Sequence, residues 1–190
     1  MKKIILTVGA IFAFSFTYAQ EVKFGIKGGL NLANISGDVE GNTSKLGFQF
    51  GGFTEIEITE KFALQPELLF STQGTKFDLE GTKVEFNLSY LNIPVMLKYY
   101  VADKFILETG PQIGLLMNAK LKGGGDSLDV KDNFKSIDFG VNFGTAYNFS
   151  ENISAGLRYN LGLSNISKSV DGDTANIKNN VISLSVGYKF

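Results

Sequence analysis

The sequence contains no cysteine, no histidine and no tryptophan. The first absence excludes a disulfide framework, thiol chemistry, a Cys-ligated metal and a lipid-modified N-terminal cysteine. The second removes the usual general base, the commonest transition-metal ligand and every histidine-containing triad. A basic surplus is also missing. Lys and Arg number 18 against 19 Asp and Glu, a net charge of −1, so the basic stripe of a nucleic-acid binder is not there. No stretch reaches the ~20 apolar residues of a membrane helix. Proline is scarce, with 3 residues, while the 190-residue chain holds 22 Gly, 17 Phe and 7 Tyr. That length and balance suit one domain of closely packed strands.

The first residues stand apart. Lys2 and Lys3 precede an apolar run, Ile4 to Phe16, of 13 residues, too short to span a bilayer as a helix. Thr17 and Ala19 place small residues three and one before a cut. The spacing predicts a secretory signal peptide over 1–19, cleaved after Ala19, with a single barrel domain over 20–190. A retained anchor or a buried helix is the competing reading. Loss of Lys2 and Lys3 leaves 16 basic residues against 19 acidic, so the mature chain carries about −3.

Beyond the leader the chain alternates. In Leu46 to Ile58, one parity holds Leu46, Phe48, Phe50, Gly52, Thr54, Ile56 and Ile58. The other holds Gly47, Gln49, Gly51, Phe53, Glu55 and Glu57. A period of two means an extended strand whose faces meet different media. The split recurs over Val22 to Asn34, Phe62 to Gln73, Asn87 to Val101, Phe105 to Leu121, Ser136 to Phe149, Ile153 to Ser164 and Asn180 to Phe190. Tight turns at 59–61, 102–104 and 150–152 alternate with longer polar loops at 35–45, 74–85, 122–134 and 166–178. Eight strands with such connections predict an all-β, eight-stranded antiparallel up-and-down transmembrane β-barrel, since closure hides the sheet edges.

Two barrels compete. In a soluble lipocalin-like ligand-binding barrel the apolar face points inward. In an outer-membrane barrel it meets lipid. The apolar sets carry more Phe, Leu, Ile and Tyr than a narrow lumen could hold. The opposite face combines glycine with sparse charges that nearly balance: Lys23, Lys27, Lys98, Lys120, Arg158 and Lys189 against Glu55, Glu57, Glu67, Glu108 and Asp138. Buried charges persist only when paired, so this set predicts an interior ion network. Phe62, Tyr99, Tyr100, Phe105, Tyr147, Phe149, Tyr188 and Phe190 lie beside the tight turns, where an interfacial girdle belongs.

Some features resist the pattern. Pro66, Pro94 and Pro111 fall inside strands of a barrel that has no edge, which predicts β-bulges beside them. Phe86, Leu88 and Tyr90 are apolar on the polar parity and predict a bulge or loop boundary near Tyr90. Asp126, Asp129 and Asp132 after Gly123-Gly124-Gly125, and Asp171-Gly172-Asp173, are weak candidates for Ca²⁺ or cation-bridged lipopolysaccharide that lack the spacing of an EF-hand, and solvated loops explain them better. Glu55, Glu57, Glu67 and Glu108 fit an ion network with Lys98 and Arg158 better than an acid/base pair. No cofactor and no catalytic constellation is implied.

PELLFSTQG at Pro66 to Gly74, YLNIPVMLKYY at Tyr90 to Tyr100 and LETGPQIGLLMNAK at Leu107 to Lys120 resemble the PorT-like outer-membrane β-barrel family of Bacteroidetes. So do GIKGGLNLANISG, RYNLGLSNIS at Arg158 to Ser167 and the closing VGYKF. The resemblance implies an integral outer-membrane location, long loops outside the cell, and a terminal signal at Tyr188 and Phe190 for the barrel-assembly machinery. Some relatives serve secretion and gliding. The expected role is non-enzymatic: a surface-interaction or envelope-structural barrel with bilayer lipid and lipopolysaccharide around it and an unknown protein or surface ligand at the long loops. A small pore, or a secretion-associated barrel, is the alternative.

Overall fold

The computed structural model describes residues 21–39, 41–79, 82–168 and 175–190. The proposed leader, its cleavage point and Asp171-Gly172-Asp173 lie outside them. Among the described residues the strands are β1 (Val22–Gly37), β2 (Asn42–Thr59), β3 (Phe62–Leu79), β4 (Thr82–Tyr100), β5 (Phe105–Gly123), β6 (Asp126–Asp129), β7 (Ile137–Asn148), β8 (Ile153–Gly162) and β9 (Ile177–Lys189). Each neighbouring pair is antiparallel. β1 pairs with both β2 and β9, and β4 with both β3 and β5. Eight strands therefore close into a transmembrane barrel, and the short β6 is an added hairpin arm on β5.

The side-chain alternation decides which face is out. Phe48 and Phe50 are 48% and 55% exposed, whereas Glu67 and Arg158 are 4% and 7% exposed. The apolar parity of every barrel strand thus faces the bilayer and the polar parity fills the lumen. Near the tight turns, ring pairs Phe62–Tyr99, Tyr147–Phe149 and Tyr188–Phe190 lie 5.0, 5.3 and 5.6 Å apart on the outside. Tyr100 departs from the expected girdle. It follows Tyr99 directly in a strand, so it turns inward, where the Lys98 ammonium lies 5.9 Å from its ring centre.

The prolines produce no bulges, contrary to the expectation from sequence. Pairing of β2 with β3 stops at Phe53–Glu67 and resumes at Ile56–Leu64 in the same register. The β3–β4 ladder skips likewise between Pro66–Val95 and Leu69–Asn92, and the β4–β5 ladder between Pro94–Gln112 and Leu97–Thr109. On its other side Pro111 faces Val141 in an unbroken run. Each proline removes one donor, and the barrel tolerates the local gap without inserting a residue. A true register shift falls where Tyr90 pointed, but the extra residue, Met117, is on β5: Ser89 pairs with Asn118 and Tyr90 with Leu116.

The loop expected at 122–134 is mostly hairpin. Gly123 pairs with Asp126 across Gly124-Gly125, both with positive φ (61° and 94°). A two-residue turn of this kind needs φ > 0 at both central positions, which glycine supplies without steric cost. The 74–85 connection is likewise largely strand, so β3 and β4 run far beyond the apolar belt.

Candidate functional site: the barrel interior

The lumen is filled in three layers. Nearest the tight turns lies the ionic layer. Arg158 sits at its centre: its Nη1 and Nη2 donate to the two oxygens of Glu67 at 3.0 and 2.9 Å, and its Nε donates to Glu108 at 2.9 Å. Glu67 also accepts from Lys27 Nζ at 2.8 Å and from Gln65 Nε2 at 2.6 Å. Glu55 accepts from Lys189 at 2.8 Å and from Lys98, which also donates to Gln65 at 2.9 Å. Gln65 therefore links the two clusters. A carboxylate in a closed interior is tolerable only with this density of donors. Glycine makes the room: a Cβ on Gly144 would lie 3.0 Å from Glu108 Oε1 and 2.8 Å from the Leu157 carbonyl.

The second layer is built of amides and hydroxyls. Asn31 donates to Ser71 at 2.9 Å, Asn160 to Asn142 at 3.1 Å, Gln73 to Ser71 at 2.9 Å, and Asn179 to Gln73. The third layer, at the long-loop end, is apolar: Ile35, Leu88, Tyr90, Leu116, Ala119, Phe134 and Ile166 form one buried cluster. The loops are pinned over it, with Lys135 N donating to the Ile166 carbonyl at 2.8 Å and Lys168 N to the Asn133 carbonyl at 2.9 Å. This explains the odd parity of Leu88 and Tyr90. They never leave the inward face; the interior itself changes from polar to apolar.

The remaining charged positions are placed differently. Lys23 and Glu57 pair at 2.8 Å at the half-exposed rim. Asp138 is buried, with Ser164 Oγ donating to it at 2.8 Å. Lys120 is exposed on the outside wall, because the extra residue at Met117 reverses the parity of β5 beyond it. Asp126, Asp129 and Asp132 do not converge. Asp126 and Asp129 stand three apart in an extended strand, so their side chains diverge, and Asp129 accepts from the Lys131 N–H at 2.9 Å. Among the described residues no group of three or more acidic side chains is placed to hold a metal ion.

Two voids among the described interior residues are small. One void beside Lys27, Glu55 and Lys98 measures about 20 Å³, and one in the amide layer beside Gln49 and Asn142 about 10 Å³, each room for about one water. At the tight-turn end a bowl of about 580 Å³, lined among others by Glu21, Glu57, Tyr100 and Lys104, stops at Lys189 above the ionic layer. The chemistry these layers supply is electrostatic locking and exclusion of water.

Residues 18–168 match the family described as the outer membrane protein beta-barrel domain. The fold is also that of solved membrane barrels. The Neisserial surface protein A (NspA) superposes with a TM-score of 0.61 at 17% identity, covering 90% of this chain and 99% of that one. Ail, the attachment invasion locus protein of Yersinia pestis, gives 0.51 at 15% identity, over 90% and 99%. No curated protein matches the chain. These findings overturn the expected kinship with the PorT-like family of Bacteroidetes. The peptides that suggested it are barrel wall, and alternation of apolar and small polar residues is required of any eight-stranded membrane barrel.

Proposed function

The chain belongs to the outer membrane protein beta-barrel domain family, and on that premise we propose that it works as a surface-interaction or envelope-structural protein, through its long hairpins and not through its lumen. The observation that carries this reading is the interior closed by ionic, amide and apolar layers in series, with voids of about 20 and 10 Å³. The interior residues Lys27, Glu55, Glu67, Lys98, Glu108, Arg158 and Lys189 act as a structural lock. Outer-membrane barrels keep short turns on the periplasmic side and long loops outside, which puts β6 and the extended β3–β4 hairpin at the cell surface. An unknown protein or surface ligand would meet them at 35–45, 74–85, 122–134 and 166–178. Lipopolysaccharide surrounds the outer half, and the assembly machinery reads Tyr188 and Phe190 at the chain end. The leader is removed after Ala19, so the mass of the mature protein should correspond to a chain starting at Gln20.

Planar-bilayer recording of the purified barrel tests the closed lumen: no steady conductance is expected, and a sustained open channel would contradict it. Crosslinking on intact cells from Lys122 to Phe134 then identifies what the hairpins touch.

A further inference from the structure

We propose that the outside wall above the apolar belt, across β2 to β5, is a docking surface for the phosphorylated head groups of an outer-leaflet glycolipid. The inference rests on the outward orientation of the long hairpins given above and adds a named site to it. Pairing aligns Lys76 of β3, Glu85 of β4 and Lys122 of β5 in one row, with side chains on one face. On β2, Thr43 pairs with Lys76, and the register shift between Ser44 and Gln49 lets Lys45 stand on the side of Thr43, within Coulombic reach of Lys76, Glu85 and Lys122. Lys120 stands two residues below Lys122 on the same face, exposed.

Four lysines thus share this wall with three carboxylates, Glu85, Asp78 and Asp129. Lys76 bonds the glutamate at 3.2 Å. Among the described residues Lys45, Lys120 and Lys122 form no ion pair; Asp129 lies opposite Lys120 but takes the Lys131 N–H. Asp78 stands further out on β3, two residues beyond Lys76.

The height of the row selects the partner. Lys45 directly precedes Leu46, an outward residue 65% exposed. On β5 the last apolar outward residue is Met117, and Lys120 and Lys122 follow. With strands tilted by about 40° and rising about 3.3 Å per residue, the lysines stand within roughly 15 Å of the belt. That is the level of phosphates on a membrane glycolipid. A cationic wall at this level is what attracts an anionic head group, each lysine adding attraction near the surface. The bulge at Met117 is what puts Lys120 outside, so the device is built into the strand register.

The test uses the full barrel in phosphatidylcholine vesicles containing a few per cent of bis-phosphorylated lipid A or its dephosphorylated form. Co-purifying glycolipid is counted by mass spectrometry. The wild type should retain the phosphorylated form at least about tenfold over the dephosphorylated one, and Lys45→Gln/Lys76→Gln/Lys122→Gln should remove most of that preference. The same three positions changed to arginine should keep it. Lys61→Gln/Lys104→Gln, at the tight-turn end, should leave it unchanged. Equal retention of both lipids, or an unaltered triple variant with wild-type gel mobility, would overturn the proposal. So would binding of inorganic phosphate to the detergent-solubilised barrel as strong as its lipid retention, since the site would then serve a free anion. A conducting barrel that still selects the phosphorylated lipid would sink the closed-lumen reading alone.

Discussion

Arg158 is the residue on which the interior turns. Its guanidinium fork satisfies Glu67 and Glu108 together, and Arg158 is the one arginine in the sequence, so no lysine can reproduce that fork. Arg158→Ala would leave two buried carboxylates with Lys27 as their main counter-charge. We expect a loss of about 3–5 kcal/mol, read from urea unfolding in detergent or vesicles. Arg158→Lys keeps the charge and loses the fork, so its loss should be smaller. Wild-type stability of Arg158→Ala would mean that the network contributes nothing. Gly144→Val should cost about 1–3 kcal/mol by overpacking against Glu108 and the Leu157 carbonyl. These residues were visible in the sequence as charges on one parity. Their partners were not, because Arg158 and Glu67 are 91 residues apart and alternation says which face a side chain takes, never which neighbour it meets.

At the scale of elements, β5 shows where reading by parity stops. Glu108 and Gln112 follow the alternation; Lys120 does not, because Met117 is an extra residue opposite β4. A bulge carries no fixed composition, so nothing in LETGPQIGLLMNAK announces it. Deleting Met117 would remove the extra residue and leave Leu116 inward, Asn118 outward, Ala119 inward and Lys120 outward on a regular ladder. We expect that variant to keep the compact, faster-migrating band of unheated gels, and loss of the band would contradict this register. The prolines err the other way. Edge and bulge rules predicted distortion, yet a ladder held by neighbours on both sides absorbed each missing donor with its register intact. The Gly124-Gly125 turn, by contrast, carries a hairpin signal that the polar composition of 122–134 masks.

For the molecule as a whole, the eight-strand closure and the two-faced wall could be derived from period-two alternation and the short-long rhythm of connections. The apolar cap could not, because Leu88 and Tyr90 break the polar pattern inside and Phe134 and Ile166 arrive from loops. The layers act in series, so opening one should not open the barrel. Leu88→Ala/Ile166→Ala is expected to lower stability by about 2–5 kcal/mol per site and still give no steady current, as the amide and ionic layers remain.

The central claim is orientation: apolar side chains toward acyl chains, polar ones toward each other. The chain has no native cysteine, so single cysteines can be introduced along β9 without background. Nitroxide labels on Ile182→Cys, Leu184→Cys and Val186→Cys should be accessible to oxygen dissolved in the bilayer, while labels on Ser183→Cys and Ser185→Cys should be shielded. Alternation of the opposite phase, with Ser183 and Ser185 in lipid and Leu184 shielded, would contradict the account.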